Sequence, residues 1–219
     1  MTAAKDAAVL ALHDGLDPFA GFDPTGWVDP TDQWDSHHAY FDQAVRDLRP
    51  GVIVEVGSFL GASSRHFAGL LEAAGADGVV ICVDTWLAER VLWGNAEWRP
   101  HLRLTNGRAE TYKVWMANAL AAGLEGYLCP LPMDSRGGAR YLADRGVVAD
   151  LIYIDASHEA GDVYQDLALY WPLLRPGCWL LADDYAPMFP GVVADVDRFA
   201  VERGLAVDVS GIKARLRKG

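Results

Sequence analysis

Apolar residues in this chain fall in short unbroken runs, and the stretches between them carry apolar positions at helical spacing. The runs at 51–56, 79–83, 127–131, 150–154 and 178–182 are rich in Val, Ile and Leu and read as five strands. Helical spacing covers about 63–74, 110–122 and 161–174, the last closed by Arg175, Pro176 and Gly177. Strands that are apolar on both faces and alternate with helices belong to a parallel sheet covered on both sides. A further helix over 192–203 precedes two short runs, 205–209 and 212–216, which predict a closing hairpin around Ser210 and Gly211. The pattern is that of one doubly wound α/β domain.

Two regions depart from this rhythm. Residues 1–35 carry turn signals at Asp17-Pro18, Asp23-Pro24 and Asp29-Pro30, with Phe19, Phe22, Trp27 and Trp34 available for burial. They read as an ordered arm lying on a domain that spans 36–219. A helix over 36–48 follows, with Ser36 as its N-cap and Tyr40, Phe41, Ala44, Val45 and Leu48 on one face. The second departure, from about 85 to 110, holds Trp86, Trp93, Trp98 and His101 without periodicity. An insertion at a strand end is either a lid or substrate wall, or a surface excursion packed on the outer helices.

Composition narrows the function classes. A chain of 219 residues can bury a full core without disulfides or a structural metal. Its net charge of −11 opposes non-specific binding to nucleic acid and to anionic membranes. The early acids, among them Asp6, Asp14, Asp32 and Asp35, and the basic tail of Lys213, Arg215, Arg217 and Lys218 read as solvated surface. Cys82, Cys129 and Cys178 lie in apolar runs without metal-type spacing, which fits reduced core residues of a cytoplasmic protein. The apolar run 7–12 is too short for a signal peptide, and no stretch approaches a membrane span.

Chemistry concentrates at the strand ends. Glu55-Val56-Gly57-Ser58-Phe59-Leu60-Gly61 joins the first strand to its helix. Glycines there let the backbone turn tightly beside a ligand, and the helix start offers free N–H groups. The G-x-x-x-G spacing, with an acid two residues before it, suits S-adenosylmethionine better than the G-x-G-x-x-G of NAD sites. The alternative is a turn that binds nothing. Asp84, ending the second strand, is placed to accept hydrogen bonds from two ribose hydroxyls, or else to cap a turn.

Asp155 and His158 follow the fourth strand, and Asp183 and Asp184 the fifth, so both loops open into one crevice. Three carboxylates converging without basic partners would repel, and a hard divalent cation such as Mg²⁺ resolves the repulsion. The alternative is that Asp183 or Asp184 caps the turn before Pro187 while Asp155 holds only the cofactor. His158, three residues after Asp155, is positioned as a general base or as a helix-capping histidine.

These segments, with Ile154-Asp155-Ala156-Ser157-His158, Ala182-Asp183-Asp184-Tyr185 and Gln33-Trp34-Asp35-Ser36-His37, resemble class I S-adenosylmethionine-dependent methyltransferases. The likeness is to their metal-dependent small-molecule O-methyltransferase branch, in particular the natural-product sugar O-methyltransferases and the cephalosporin-hydroxylase-like group. It covers roughly 33–205. It implies a Rossmann-like, mostly parallel sheet of seven strands with helices on both faces and a C-terminal antiparallel hairpin. Glu55, Gly57, Ser58 and Gly61 would line the methionine end of the cofactor, and Ser63 would bond its carboxylate. Asp84 would hold the ribose, Asp134 and Ser135 would sit near the adenine, Asp155, Asp183 and Asp184 would be metal ligands, and His158 a base. The implied partner is a small-molecule acceptor, with no nucleic acid or membrane, and homo-oligomers occur in the family. The chain departs from the family in Ala156, where Gly is frequent, and in Gly177-Cys178, where Gly-Gly is frequent. Trp34, Trp86, Trp93 and Tyr185 are candidates for stacking on the acceptor at the mouth, or for core.

Overall fold

The computed structural model describes residues 2–29 and 36–219, so Trp34, Pro30 and most of the 33–37 segment lie outside the described residues. Strands β1 (Val52–Val56), β2 (Val79–Asp84), β3 (Leu128–Pro132), β4 (Ala149–Ile154), β5 (Leu174–Ala182), β6 (Asp208–Ser210) and β7 (Lys213–Arg217) form one sheet. Their order is β3-β2-β1-β4-β5-β7-β6, with the first five parallel and β7 antiparallel to both its neighbours. Strand order reverses between β1 and β4, which opens a crevice at the carboxyl ends of those strands. The expected sheet, including its hairpin, is therefore present.

Alternation along β1 divides the core in two, because successive strand side chains point to opposite faces. Val54 and Val56 join one buried cluster with α6 (Ser135–Asp144), α7 (Asp162–Tyr170) and α8 (Pro190–Arg203). Ile53 faces the other, with α2 (Ala39–Leu48), α3 (Ala62–Ala73) and α5 (Thr111–Ala121). Both faces are thus dry, which explains strands without polar alternation.

Several boundaries differ from the sequence reading for physical reasons. Residues 3–13 form a helix, α1 (Ala3–His13), capped by Thr2 and packed on β2 and β3. Ala8, Val9 and Leu12 enter the sheet core, and Lys5 completes the same stripe with its ammonium on the carbonyls of Leu128 and Glu125. The second helix starts at Ala39, not at 36: His38 Nδ1 accepts the Tyr40 N–H at 3.1 Å, while Ser36 is buried against the crevice. α7 ends at Tyr170, because Pro172 has no N–H to continue the ladder, and β5 begins at Leu174.

Of the basic tail only Arg217 is exposed surface, because β7 lies inside the sheet between β5 and β6. Lys213 is 2% exposed, Arg215 stacks between Tyr40 and Trp179, and Lys218 Nζ donates to the Trp171 and Leu174 carbonyls. All three cysteines are free. No helix among the described residues is long and apolar enough to cross a membrane.

Candidate active site

A cavity of about 890 Å³ opens at the carboxyl ends of β1 to β5. Its floor is the turn after β1. Gly57 has φ +90°, and a Cβ there would lie 1.9 Å from the Asp155 carbonyl oxygen. The two loops can meet only because that position is glycine; Asp155 N–H donates to Val56 O across them, while Gly57 N–H ties the turn to Val83 O of β2. Gly61 has φ +84°, and a Cβ there would lie 2.7 Å from the Trp115 ring. Gly61 therefore serves the packing of α3 on α5 and does not line the cavity.

Glu55 does not line it either. Its carboxylate is fully buried beneath the turn and accepts the hydroxyls of Ser58 (2.5 Å), Ser63 (2.6 Å) and Ser64. Burial pushes its pKa up and the serines pull it back. Glu55 thus shapes the turn from behind, and Ser63, although it borders the cavity, spends its hydroxyl proton on Glu55.

Asp84 borders the cavity but has little capacity to spare. One carboxylate oxygen accepts the N–H groups of Ser58 and Phe59, both at 2.8 Å, and the other accepts that of Trp86 at 2.6 Å. With three of about four acceptor positions filled, one further donor fits, not two ribose hydroxyls. Its pKa is raised by burial against the pull of those backbone bonds.

Asp134 and Ser135 also border the cavity, at the end of β3. Asp134 caps α6 through Gly137 N–H, and the Ser135 carbonyl accepts the Tyr170 hydroxyl. Beside them is a residue that sequence reasoning missed, Asp166 on α7, 4% exposed and in the cavity wall. Helical spacing from Val163, Leu167 and Tyr170 places Asp166 on the buried face, and a carboxylate among core positions was the available signal.

The opposite end holds the acidic loops. Tyr153 donates from its hydroxyl to Asp183 and to Asp155 at 3.0 Å. Lys213 Nζ lies 2.5 Å from Asp183 Oδ2 and 3.2 Å from the Tyr153 hydroxyl. This corrects the sequence argument for the metal set, since Asp183 has a buried basic partner that β7 brings from thirty residues away. Asp155, Asp183 and Asp184 do converge, but the cluster with donor atoms within 4.8 Å of one another is Asp155, His158 and Asp184. Burial, then the charge of Asp183, drives the Asp155 pKa well above the usual carboxylate range, with Lys213 opposing.

His158 Nε2 lies 2.6 Å from Asp184 Oδ2. That hydrogen bond raises the imidazole pKa, with partial burial opposing it. The loop carrying His158 is fixed by α8, where Asp195 accepts the Gly161 and Tyr164 N–H groups, and Phe189 packs 4.9 Å from the imidazole centroid.

The insertion forms the outer wall. It contains α4 (Arg90–Gly94), and Glu89, Leu92 and Trp98 border the cavity. Trp86 instead belongs to the core, packed on Tyr112 and Trp115, with its indole N–H on the Phe59 carbonyl. Trp93 and Tyr185 do not border the cavity: Trp93 donates to Leu87 O, and the Tyr185 hydroxyl to Asp197. The aromatic lining comes from Phe59, Trp98, Tyr153 and Phe189.

Solved structures share this architecture. CalS11, a TDP-rhamnose 3'-O-methyltransferase of calicheamicin biosynthesis, is 21% identical over 82% of this chain and 78% of its own, with a TM-score of 0.59. An O-methyltransferase from Bacillus cereus in complex with SAH is 15% identical, over 98% of this chain and 97% of its own, with a TM-score of 0.61. TomG from Streptomyces achromogenes, an O-methyltransferase of tomaymycin synthesis in complex with SAM, is 19% identical over 100% of this chain and 91% of its own, TM-score 0.55. At these identities the likeness is one of fold. No curated protein matches the chain. The sequence pattern of the methyltransferase domain matches residues 54–185, more than half of the chain and all of the turn, Asp84 and the acidic loops, and the chain belongs to that methyltransferase family.

Proposed function

We propose that this protein transfers the methyl group of S-adenosylmethionine to a hydroxyl oxygen of a small molecule, a sugar or another natural product. The observation that carries the reading is His158, held at 2.6 Å by Asp184 and bordering the same cavity as the glycine turn. The volume of about 890 Å³ suits a cofactor and a small acceptor together. CalS11 and TomG, whose names tie them to natural-product synthesis, favour such an acceptor.

When bound, the cofactor supplies an electrophilic methyl group on a sulfonium sulfur. The turn at Gly57 to Phe59 and the remaining acceptor position of Asp84 would hold its methionine and ribose portions. With its Nε2–H on Asp184, His158 carries its lone pair on Nδ1, and that nitrogen takes the acceptor's hydroxyl proton as the oxygen–methyl bond forms. The leaving group in such a transfer would be a neutral thioether. Phe59, Trp98, Phe189 and the insertion exclude water and hold the acceptor in line.

The chemistry of Asp155, Asp184 and His158 fits a divalent cation, and Mg²⁺ would draw chiefly on the two carboxylates. Such an ion would supply Lewis acidity toward the acceptor oxygen. A second reading, without metal, is favoured by the ion pairs already present, Lys213 with Asp183 and His158 with Asp184.

Calorimetric titration with S-adenosylhomocysteine, with and without Mg²⁺ and with NAD as control, tests the cofactor. Micromolar binding of S-adenosylhomocysteine supports the proposal; tighter binding of NAD overturns it. Turnover of a hydroxyl acceptor that survives EDTA selects the second reading.

A further inference from the structure

Asp166 is a buried carboxylate in the cavity wall that methyl transfer itself does not use. It stands on α7 where that helix meets α6, at the end of the cavity bordered by Met133, Asp134, Ser135 and Arg136. Its charged neighbours are Asp162, Arg136 and Asp134, not the acids of the β4 and β5 loops. The Ser135 side chain favours the charged form of its carboxylate, and Arg136 adds to that. A carboxylate offers about four acceptor positions, and a buried one left unfilled is a liability unless a ligand supplies N–H or O–H groups.

We infer that Asp166 reads the base of the cofactor, accepting a hydrogen bond from the exocyclic amino group of adenine and rejecting a 6-oxopurine. The inference rests on the S-adenosylmethionine reading above. Its geometric basis is the shared wall: Asp166 and Ser135 border the β3 end of the cavity, and Asp84, the candidate for the ribose, ends the adjacent strand β2. With the glycine turn at the end of β1 and Asp84 at the end of β2, the stretch of cavity left for the base of an adenosyl group is the one at the end of β3. The amino group of adenine presents two N–H donors on one edge. Hypoxanthine presents a carbonyl oxygen at the same place, and a carboxylate repels it. Burial, with Asp162 and Asp134 adding to it and Arg136 opposing, lifts the Asp166 pKa to about 6. The carboxylate is therefore ionised, and an acceptor, at pH 8.

The test is calorimetric titration at pH 8 of wild type, Asp166→Asn and Asp166→Ala with S-adenosylhomocysteine and with S-inosylhomocysteine. Wild type is expected to prefer the adenosyl compound by roughly 10- to 100-fold, the range of a hydrogen bond to a charged group. Asp166→Asn, which can turn its amide N–H toward a 6-oxo group, should bring the two ligands within a few-fold. Asp166→Ala should weaken the adenosyl compound and tighten the inosyl compound, since both the hydrogen bond and the repulsion are then lost. Because the readout is a ratio of two ligands on one protein, a general loosening of the site does not mimic it. Wild-type discrimination kept in both variants overturns the inference and leaves the cofactor reading standing. Absence of S-adenosylhomocysteine binding to wild type overturns both.

Discussion

Lys213 and Asp183 form an ion pair of 2.5 Å whose side chains are 2% and 7% exposed. The strand that ends the chain thereby places a fixed cation beneath the acids of the β4 and β5 loops. Tyr153, itself 1% exposed, shares the pair and extends it to Asp155. Asp183 is accordingly a positioning residue. One oxygen is taken by Lys213 and Tyr153, and the other accepts the Asp184 N–H at 2.8 Å, which sets the loop that presents Asp184 to His158.

Removing one partner of such a pair leaves a buried, uncompensated charge. Lys213→Met is expected to lower the unfolding free energy by about 3–5 kcal/mol, measured by urea denaturation. The double variant Lys213→Met/Asp183→Asn, which buries no net charge, should regain more than half of that loss. A double variant as unstable as the single one would show that Lys213 acts through packing on Phe41 and Tyr153, not through its charge.

The glycine turn makes a contrast between two neighbouring positions. Gly57→Ala must push Cβ against the Asp155 carbonyl, rigid backbone on an adjacent strand end, whereas Gly61→Ala meets a tryptophan side chain. Both also place alanine at positive φ. Gly57→Ala should therefore cost the more stability, and it alone should abolish S-adenosylhomocysteine binding in a protein that still folds. Equal binding by both variants would remove the turn from the cofactor site.

The parallel sheet was legible because its strands are unbroken apolar runs, and the turn at Gly57 because glycine, acid and helix start occur in sequence. What stayed hidden depended on contacts between distant residues. Helix α1 was masked by a charge at one position of its 5-8-9-12 stripe, where Lys5 reaches backbone carbonyls at the edge of β3. The role of Glu55 turned on three serines that fold beneath the turn, and the argument for three unpaired acids turned on a lysine that only sheet order brings near. Local pattern reports which residues are buried; it does not report their partners.

Asp166 gives stability a pH signature of defined sign. Its folded pKa, about 6, stands above the ordinary value near 3.9, so between these the native state holds the proton more tightly. Its ionisation therefore costs stability as pH rises from about 4 through about 6, and no further beyond. The groups facing it are Asp134, Ser135 and Arg136 at the start of α6, and Asp162 and Tyr170 on α7. The stability of Asp166→Asn relative to wild type should grow over that interval and then plateau, in urea melts at pH 4, 5, 6 and 8. A difference that does not vary with pH would place the ordinary carboxylate pKa on Asp166.

His158 carries the opposite sign. Its hydrogen bond to Asp184 raises the imidazole pKa, so the stabilisation by the charged pair is full below about pH 6.5, the unfolded value, and is lost as pH rises through the folded pKa. In chelator-treated protein an NMR titration of the His158 ring should show its midpoint above 6.5, and Asp184→Asn should move that midpoint down. Turnover follows the neutral imidazole, so the acid limb of the rate profile should rise through the same midpoint and shift with it in Asp184→Asn. His158→Ala should lower turnover by roughly 10²- to 10⁴-fold, the usual contribution of a general base. It should leave S-adenosylhomocysteine affinity within a few-fold of wild type, because the proton it removes belongs to the acceptor. A His158→Ala protein with full turnover would take the histidine out of the chemistry and leave proton removal to solvent.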